Sequence, residues 1–244
     1  MGVEWAVAWI AGLLFGSFLN VVIVRIPEDR SVCFPASHCP HCQKPLRFWH
    51  NIPLLSYLFL GGRCAFCQTK ISPLYPFIEL LSAFLGLAVV MREGFVWSAL
   101  ALGVSFGLLL ALSVIDIKTQ KVPDSLNFIA LLAALAYGAS LESLEAAFII
   151  AGALTLLRFG LSWILHQEAM GEGDIILAAT MGAVLGVKLA LVAVFVAALL
   201  ALPVMLLLSK KDSKIAFIPF LSLGLWIVYG GQDWILSYLE PWYG

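Results

Sequence analysis

The chain of 244 residues is 62% hydrophobic and only 12% charged, with a mean hydropathy of +0.99. An average soluble domain is about a quarter charged, so an ordinary water-soluble domain is excluded. The 14 basic residues nearly cancel the 15 acidic ones, for a net charge of −1, and without a basic tail or block nucleic-acid binding has no electrostatic support.

Residues 5–24 form the first apolar run. The first charge is Glu4 and the first basic residue, Arg25, stands at the far end of the run. A signal peptide begins with positive charge, so this segment is read as a retained spanning helix. Gly12 and Gly16 stand four apart in it, a spacing that lets a neighbouring helix approach closely. Residues 25–73 are the only long polar stretch, and later spans are expected at 74–91, 97–116, 124–140, 143–165, 174–187, 189–208 and 215–239. The fold class is all-α: a polytopic membrane protein with about eight transmembrane helices. Residues 1–24 are expected to be its first helix, 25–73 a small loop domain, and 74–244 a helical membrane domain.

Lys and Arg mark the cytoplasmic side of a membrane protein. Arg25, Arg30, Lys44, Arg47, Arg63 and Lys70 lie in the polar stretch, and alternation of the spans adds Lys118, Lys121, Arg158, Lys210, Lys211 and Lys214 to the same side. Arg92 and Lys188 alone fall opposite, which sets both termini outside and the loop inside.

Four of the five cysteines form two CxxC pairs, Cys39 with Cys42 and Cys64 with Cys67, separated by 21 residues. Each turn brings two thiolates to one tetrahedral ion, and two turns close a structural zinc site. Disulfides compete, but the loop is assigned to the reducing compartment, where paired thiols hold metal more often. His38, His41 and Cys33 are near enough to substitute, yet four thiolates leave no open position. His50 reads as an interfacial residue. A loop of this size buries little core, so metal binding would supply its stability, and a small knuckle lying on the membrane surface is expected.

Charges inside spans are costly and usually functional. Asp116 follows the apolar run 108–115 and is placed at the cytoplasmic end of its span. Asp174 closes the string Gly171, Glu172, Gly173, Asp174 where another span begins on that side. Two carboxyl groups brought together share a proton, giving an acid and a base from identical residues. The ionised member can activate water while the protonated one polarises a peptide carbonyl. Asp174, beside a helix start, is the candidate base. Solvated helix-end carboxylates are the competing reading. Asp124, between Pro123 and Ser125, reads as a helix cap, and Glu79 as either a partner of a basic residue or a catalytic group.

Together these residues resemble the bacterial type IV prepilin peptidases, or prepilin leader peptidase/N-methyltransferases, membrane aspartic proteases of the GxGD type. The matching strings are FGSFLNVVIVRIP at 15–27, CPHC, NIPLLSYL, GGRCAFC and ISPLYPFIE within 37–79, IDIKTQKVPD at 115–124 and AMGEGD at 169–174. The resemblance implies catalysis by Asp116 and Asp174, with zinc on Cys39, Cys42, Cys64 and Cys67. It also implies cleavage of the basic leader of type IV prepilins and pseudopilins at the cytoplasmic face of the bacterial inner membrane. Members with the zinc loop generally go on to N-methylate the new terminus with S-adenosylmethionine. Two positions depart from the family pattern: Ile176 stands where many members carry lysine, and Ala83 where many carry glycine, in a region linked to methyl transfer. An ion-coupled transporter with paired carboxylates would show inverted repeats, and none is evident. A noncatalytic adaptor docking partners through the zinc loop is the remaining alternative.

Overall fold

The structure, a computed structural model, describes residues 2–166, 170–208 and 215–239. Ala169 of the AMGEGD string and the expected cytoplasmic Lys210, Lys211 and Lys214 lie outside these residues. Eight α-helices follow in chain order: α1 (Gly2–Arg25), α2 (Leu55–Phe59), α3 (Leu74–Glu93), α4 (Trp97–Thr119), α5 (Asp124–Gly138), α6 (Leu141–Leu165), α7 (Glu172–Leu208) and α8 (Ile218–Leu239). Pairing of extended backbone among the described residues is confined to two isolated bridges.

The chain divides into two compact units, residues 1–103 and 104–244, with the division inside α4. Among the described residues, five helices are long and apolar enough to cross a membrane: Gly2–Glu28, Leu74–Glu93, Trp97–Thr119, Leu141–Ile164 and Glu172–Leu207. The protein is therefore a polytopic helical membrane protein. Helix α5, at 15 residues, is apolar but short, and α8 carries Gln232 and Asp233 in its length. Helix α7 is two helical segments that meet at Gly186, whose φ of 71° and ψ of 173° leave the helical region. An unbroken helix of its 37 residues would be ~55 Å long, well beyond a hydrocarbon core of ~30 Å.

In the first unit, α1 packs along α3. The glycine spacing decides where they meet. A Cβ on Gly12 would sit 2.6 Å from the Ala83 Cα, and one on Gly16 2.7 Å from the Glu79 Cα. The two backbones can touch only because those side chains are absent. Ala83 is fully buried in this seam, so the residue that departs from the family glycine faces a glycine across it. Between the two helices, buried Arg25 donates to the carbonyls of Ser31, Val32 and Pro35 and organises the exit from α1.

In the second unit, α7 packs against α5, α6 and α8. Its small residues permit this: Gly182 meets the Ala146 carbonyl, and Gly224 of α8 meets the backbone of α7 at Ala193. Polar contacts add direction to otherwise apolar seams. Ser143 donates to the Ala183 carbonyl at 2.6 Å, Ser105 to the Ala130 carbonyl at 2.9 Å, and Ser113 to Ser222 at 3.0 Å. The last two fasten α4 to α5 and to α8. Ser140 caps α6 by accepting from the Ser143 amide.

Candidate functional site: a buried carboxylate pair and a four-cysteine centre

Asp116 and Asp174 both belong to the second unit and are both buried, at 5% and 8% exposure. Neither is the terminal residue of its helix. Helix α4 continues one turn past Asp116 to Thr119, because Thr119 returns its hydroxyl to the Ile115 carbonyl and the helix closes only when the Gln120 amide reaches the Asp116 carbonyl at 2.9 Å. Gln120 then turns left-handed, with φ of 54°. Helix α7 begins at Glu172, two residues before Asp174. The expected span limits at 116 and 174 are thus displaced outward, and each carboxylate lies just inside its helix.

Both carboxylates accept from the backbone, Asp116 from the Ile218 amide at 3.2 Å and also from Phe217, and Asp174 from the Gly171 amide at 3.1 Å. The first is set by the start of α8, the second by the turn into α7. The two side chains lie close enough to interact electrostatically. They are two buried groups of like charge, each within electrostatic reach of the other.

The supporting residues come from three other places. Asn127 of α5, fully buried, donates to the Gly173 carbonyl at 2.8 Å. A Cβ on Gly173 would come within 2.9 Å of the Val122 side chain, so the glycine lets the α4–α5 turn lie against the segment that holds Asp174. Arg158 of α6 acts electrostatically on Asp174 and pairs with the exposed Glu172 at 3.5 Å. Sequence reading had placed Arg158 only as a marker of sidedness and had passed over Asn127. Ile176 lies ~200° around α7 from Asp174, in an apolar groove with Leu131 and Leu135 of α5 and Phe148 of α6. The positive charge felt by Asp174 therefore comes from α6.

Two other acidic residues were singled out by the sequence. Asp124 is the exposed first residue of α5; Pro123 holds the cap position, with no side-chain hydrogen bond. Glu79, buried in the first unit, accepts from the Leu54 amide at 2.8 Å and from Ser17. Its partners are neutral.

The four cysteines converge. The Sγ atoms of Cys39, Cys42, Cys64 and Cys67 all lie within 4.8 Å of one another, and those of Cys39 and Cys67 are 3.8 Å apart. A tetrahedral ion with bonds of ~2.3 Å needs sulfurs ~3.8 Å apart, so this donor set fits one metal ion. Two equivalent knuckles build it, offset by 25 residues. In one, the Cys39 amide donates to Lys44, Gln43 to Cys39 and Leu46 to Ser37; in the other, Cys64 donates to Thr69, Gln68 to Cys64 and Ile71 to Gly62. Gln43 and Gln68 take matching left-handed conformations at φ of 57° and 60°. The bridges His38 to Pro45 and Arg63 to Lys70 repeat the same offset. Hydrogen bonds from Thr69 hold the Cys67 thiol down at about 6, toward the thiolate that a metal needs. His50 is held between the rings of Trp49 and Phe66, outside this cluster.

Comparison with known proteins follows the same division. The Bacterial Peptidase A24 N-terminal domain matches residues 10–93, and the Type IV leader peptidase family matches residues 103–206. The chain is 35% identical to the prepilin leader peptidase/N-methyltransferase of Neisseria gonorrhoeae, over 96% of this chain and 93% of that one. It is 37% identical to the type 4 prepilin-like proteins leader peptide-processing enzyme of Escherichia coli O78:H11, over 89% and 90%. Identity is 35% to the prepilin leader peptidase/N-methyltransferase of Aeromonas hydrophila, over 93% and 91%. No solved structure matches. With family models on both units and relatives aligned along nearly its whole length, the chain belongs to the bacterial type IV prepilin leader peptidase family.

Proposed function

We propose that the protein is a membrane aspartic endopeptidase that removes the leader from type IV prepilins and pseudopilins, with Asp116 and Asp174 as its catalytic pair. The observation that carries this reading is that two buried carboxylates, from helices far apart in sequence, stand within electrostatic reach of each other, each accepting from the backbone. Asp174, in the first turn of α7, is assigned as the ionised member. It takes a proton from water as the water attacks the scissile carbonyl. Asp116, protonated, donates to the carbonyl oxygen as negative charge develops there, and a proton returned to the amide nitrogen releases the leader. A basic leader joined to an apolar helix requires a cut at the membrane interface, and carboxylates one turn from helix ends suit that depth.

The reading extends to topology and cofactors. Eight spans arise if α7 counts as two segments at Gly186 and if α5 and α8 also cross, with both termini outside and residues 25–73 cytoplasmic. The charge bias of the connections supports this orientation. Cys39, Cys42, Cys64 and Cys67 would hold one zinc ion, which would supply folding stability to the loop. The names of the relatives support a second step, N-methylation of the new terminus with S-adenosylmethionine.

Asp116→Asn and Asp174→Asn, purified in membranes and incubated with a prepilin, are expected to lose cleavage while retaining zinc and the folded state. Cleavage at the wild-type rate by both variants would refute the carboxylate mechanism. Labelled S-adenosylmethionine in the same assay reports methyl transfer on pre-cleaved substrate.

A further inference from the structure

The segment between the two knuckles is tied to α3 through its Leu54 amide. Helix α3 has 20 residues and is ~30 Å long, the thickness of the hydrocarbon core it crosses. Glu79 is its sixth residue, ~7 Å along the axis from its start. The Leu54 amide is bonded to that carboxylate at 2.8 Å, and the adjoining Pro53 is buried. Leu54 itself is forced to φ of 59° and ψ of −50°, a costly conformation for a branched residue that persists only when its surroundings hold it. Helix α2 therefore starts against the N-terminal turns of α3.

Its two faces differ in chemistry. Tyr57 turns back against Gly62 and toward the Ile71 carbonyl, joining α2 to the cysteine module. Leu55, Leu58 and Phe59 share the opposite face and are 51%, 72% and 87% exposed. Phe48, Trp49 and Ile52, just before the helix, are exposed as well, and the Arg47 guanidinium lies 5.1 Å from the Trp49 ring. Between Ser37 and Ser72 there is no acidic residue, while Lys44, Arg47, Arg63 and Lys70 are all exposed. A zinc ion on four thiolates would remove two of these four positive charges and leave the module net positive. An apolar face with an aromatic flank and a cationic surround is the chemistry of a segment lying in the headgroup and acyl boundary, ~5–10 Å deep.

We propose that residues 48–59 are an interfacial membrane segment, with Leu55, Leu58 and Phe59 in contact with the acyl chains of an anionic bilayer leaflet and the Leu54–Glu79 hydrogen bond setting its depth. This occupancy does not depend on the peptidase reading.

The test uses the full-length protein in phosphatidylglycerol-containing nanodiscs, with Phe59→p-benzoylphenylalanine as the photocrosslinker and Leu58→p-benzoylphenylalanine as a second site. Lys70→p-benzoylphenylalanine serves as the control, and retained metal content establishes folding of each variant. On irradiation, intact-mass analysis should show phospholipid adducts at positions 58 and 59, several-fold above position 70. Crosslinks to protein instead of lipid would overturn the proposal by showing that another surface covers the face. Lipid adducts no more frequent at 58 and 59 than at 70 would overturn it by leaving the face in water.

Discussion

The Asn127 amide donates to the Gly173 carbonyl at 2.8 Å, joining α5 to the residue before Asp174. The same side chain keeps its Oδ1 buried without a hydrogen-bond partner among the described residues, an arrangement that costs stability. Its donor therefore serves a position rather than the fold. Asn127→Ala removes the orphan acceptor together with the donor, so stability should change little. The Gly173 carbonyl, which α7 can still engage from within, loses its tie to α5, and this should let the Asp174 turn drift. Prepilin cleavage is expected to fall on the order of ten- to a hundredfold in kcat, with thermal stability near that of the parent. An unchanged kcat would show that the turn holds Asp174 without α5.

Arg158 faces two acids of unequal burial. Glu172 is exposed and its pairing spans 3.5 Å, which is worth at most about 1 kcal/mol. Asp174 is buried, and the Arg158 charge reaches it there. Glu172→Gln should accordingly leave cleavage close to wild type. Arg158→Ala should lower kcat roughly fivefold or more, corresponding to an interaction of about 1 kcal/mol, and Arg158→Lys should retain most of it. Equal losses in Glu172→Gln and Arg158→Ala would mean that the surface pair, not the charge on Asp174, is what matters.

The carboxylates and cysteines could be found in the sequence because each breaks a local pattern. Asp116 interrupts an apolar run in which a charge is costly, and the CxxC pairs repeat a ligand spacing that one ion imposes. The glycines of α1 were equally plain, since their spacing is the contact itself. The exact depth of Asp116 was not: the polar string after it suggested a helix end, but Thr119 and Gln120 carry the helix another turn before closing it. Nor were Asn127 and Leu54 legible as positioning residues. Their partners lie 46 and 25 residues away, and no periodicity of a single chain encodes such pairings. Arg158 was visible only as a charge, because which acid it serves depends on how α6 and α7 lie together.

The α1–α3 seam makes a contrast between two glycines. At Gly12 a side chain would meet the Ala83 backbone at 2.6 Å, whereas at Gly103 nothing lies within 4 Å. Backbone cannot rotate away as a side chain can, so Gly12→Leu must part the helices, at a cost of about 1–3 kcal/mol or more. A lowered unfolding temperature in detergent is expected for Gly12→Leu. Gly103→Ala should leave it unchanged or raise it slightly, since alanine favours a helix over glycine by up to about 1 kcal/mol. Similar behaviour of the two would mean that the helices of the first unit are not held at this distance.

The matched knuckles predict equivalence between positions 25 residues apart. Cys39 and Cys64 each donate their amide across a knuckle and each carry a buried sulfur, so the two occupy the same place in their repeats. Cys39→Ser and Cys64→Ser should therefore reduce bound zinc to a similar extent, from one ion per chain in the parent by elemental analysis. Because a loop this short buries little core of its own, loss of the ion should also open it to protease. Cuts are expected between residues 37 and 72 after chelation or in either variant, with the helices on both sides left intact. A loop that resists protease once stripped of metal would show that the Leu54–Glu79 bond and the Tyr57 contact with Gly62 suffice to hold it, and that the cysteines are dispensable for its fold.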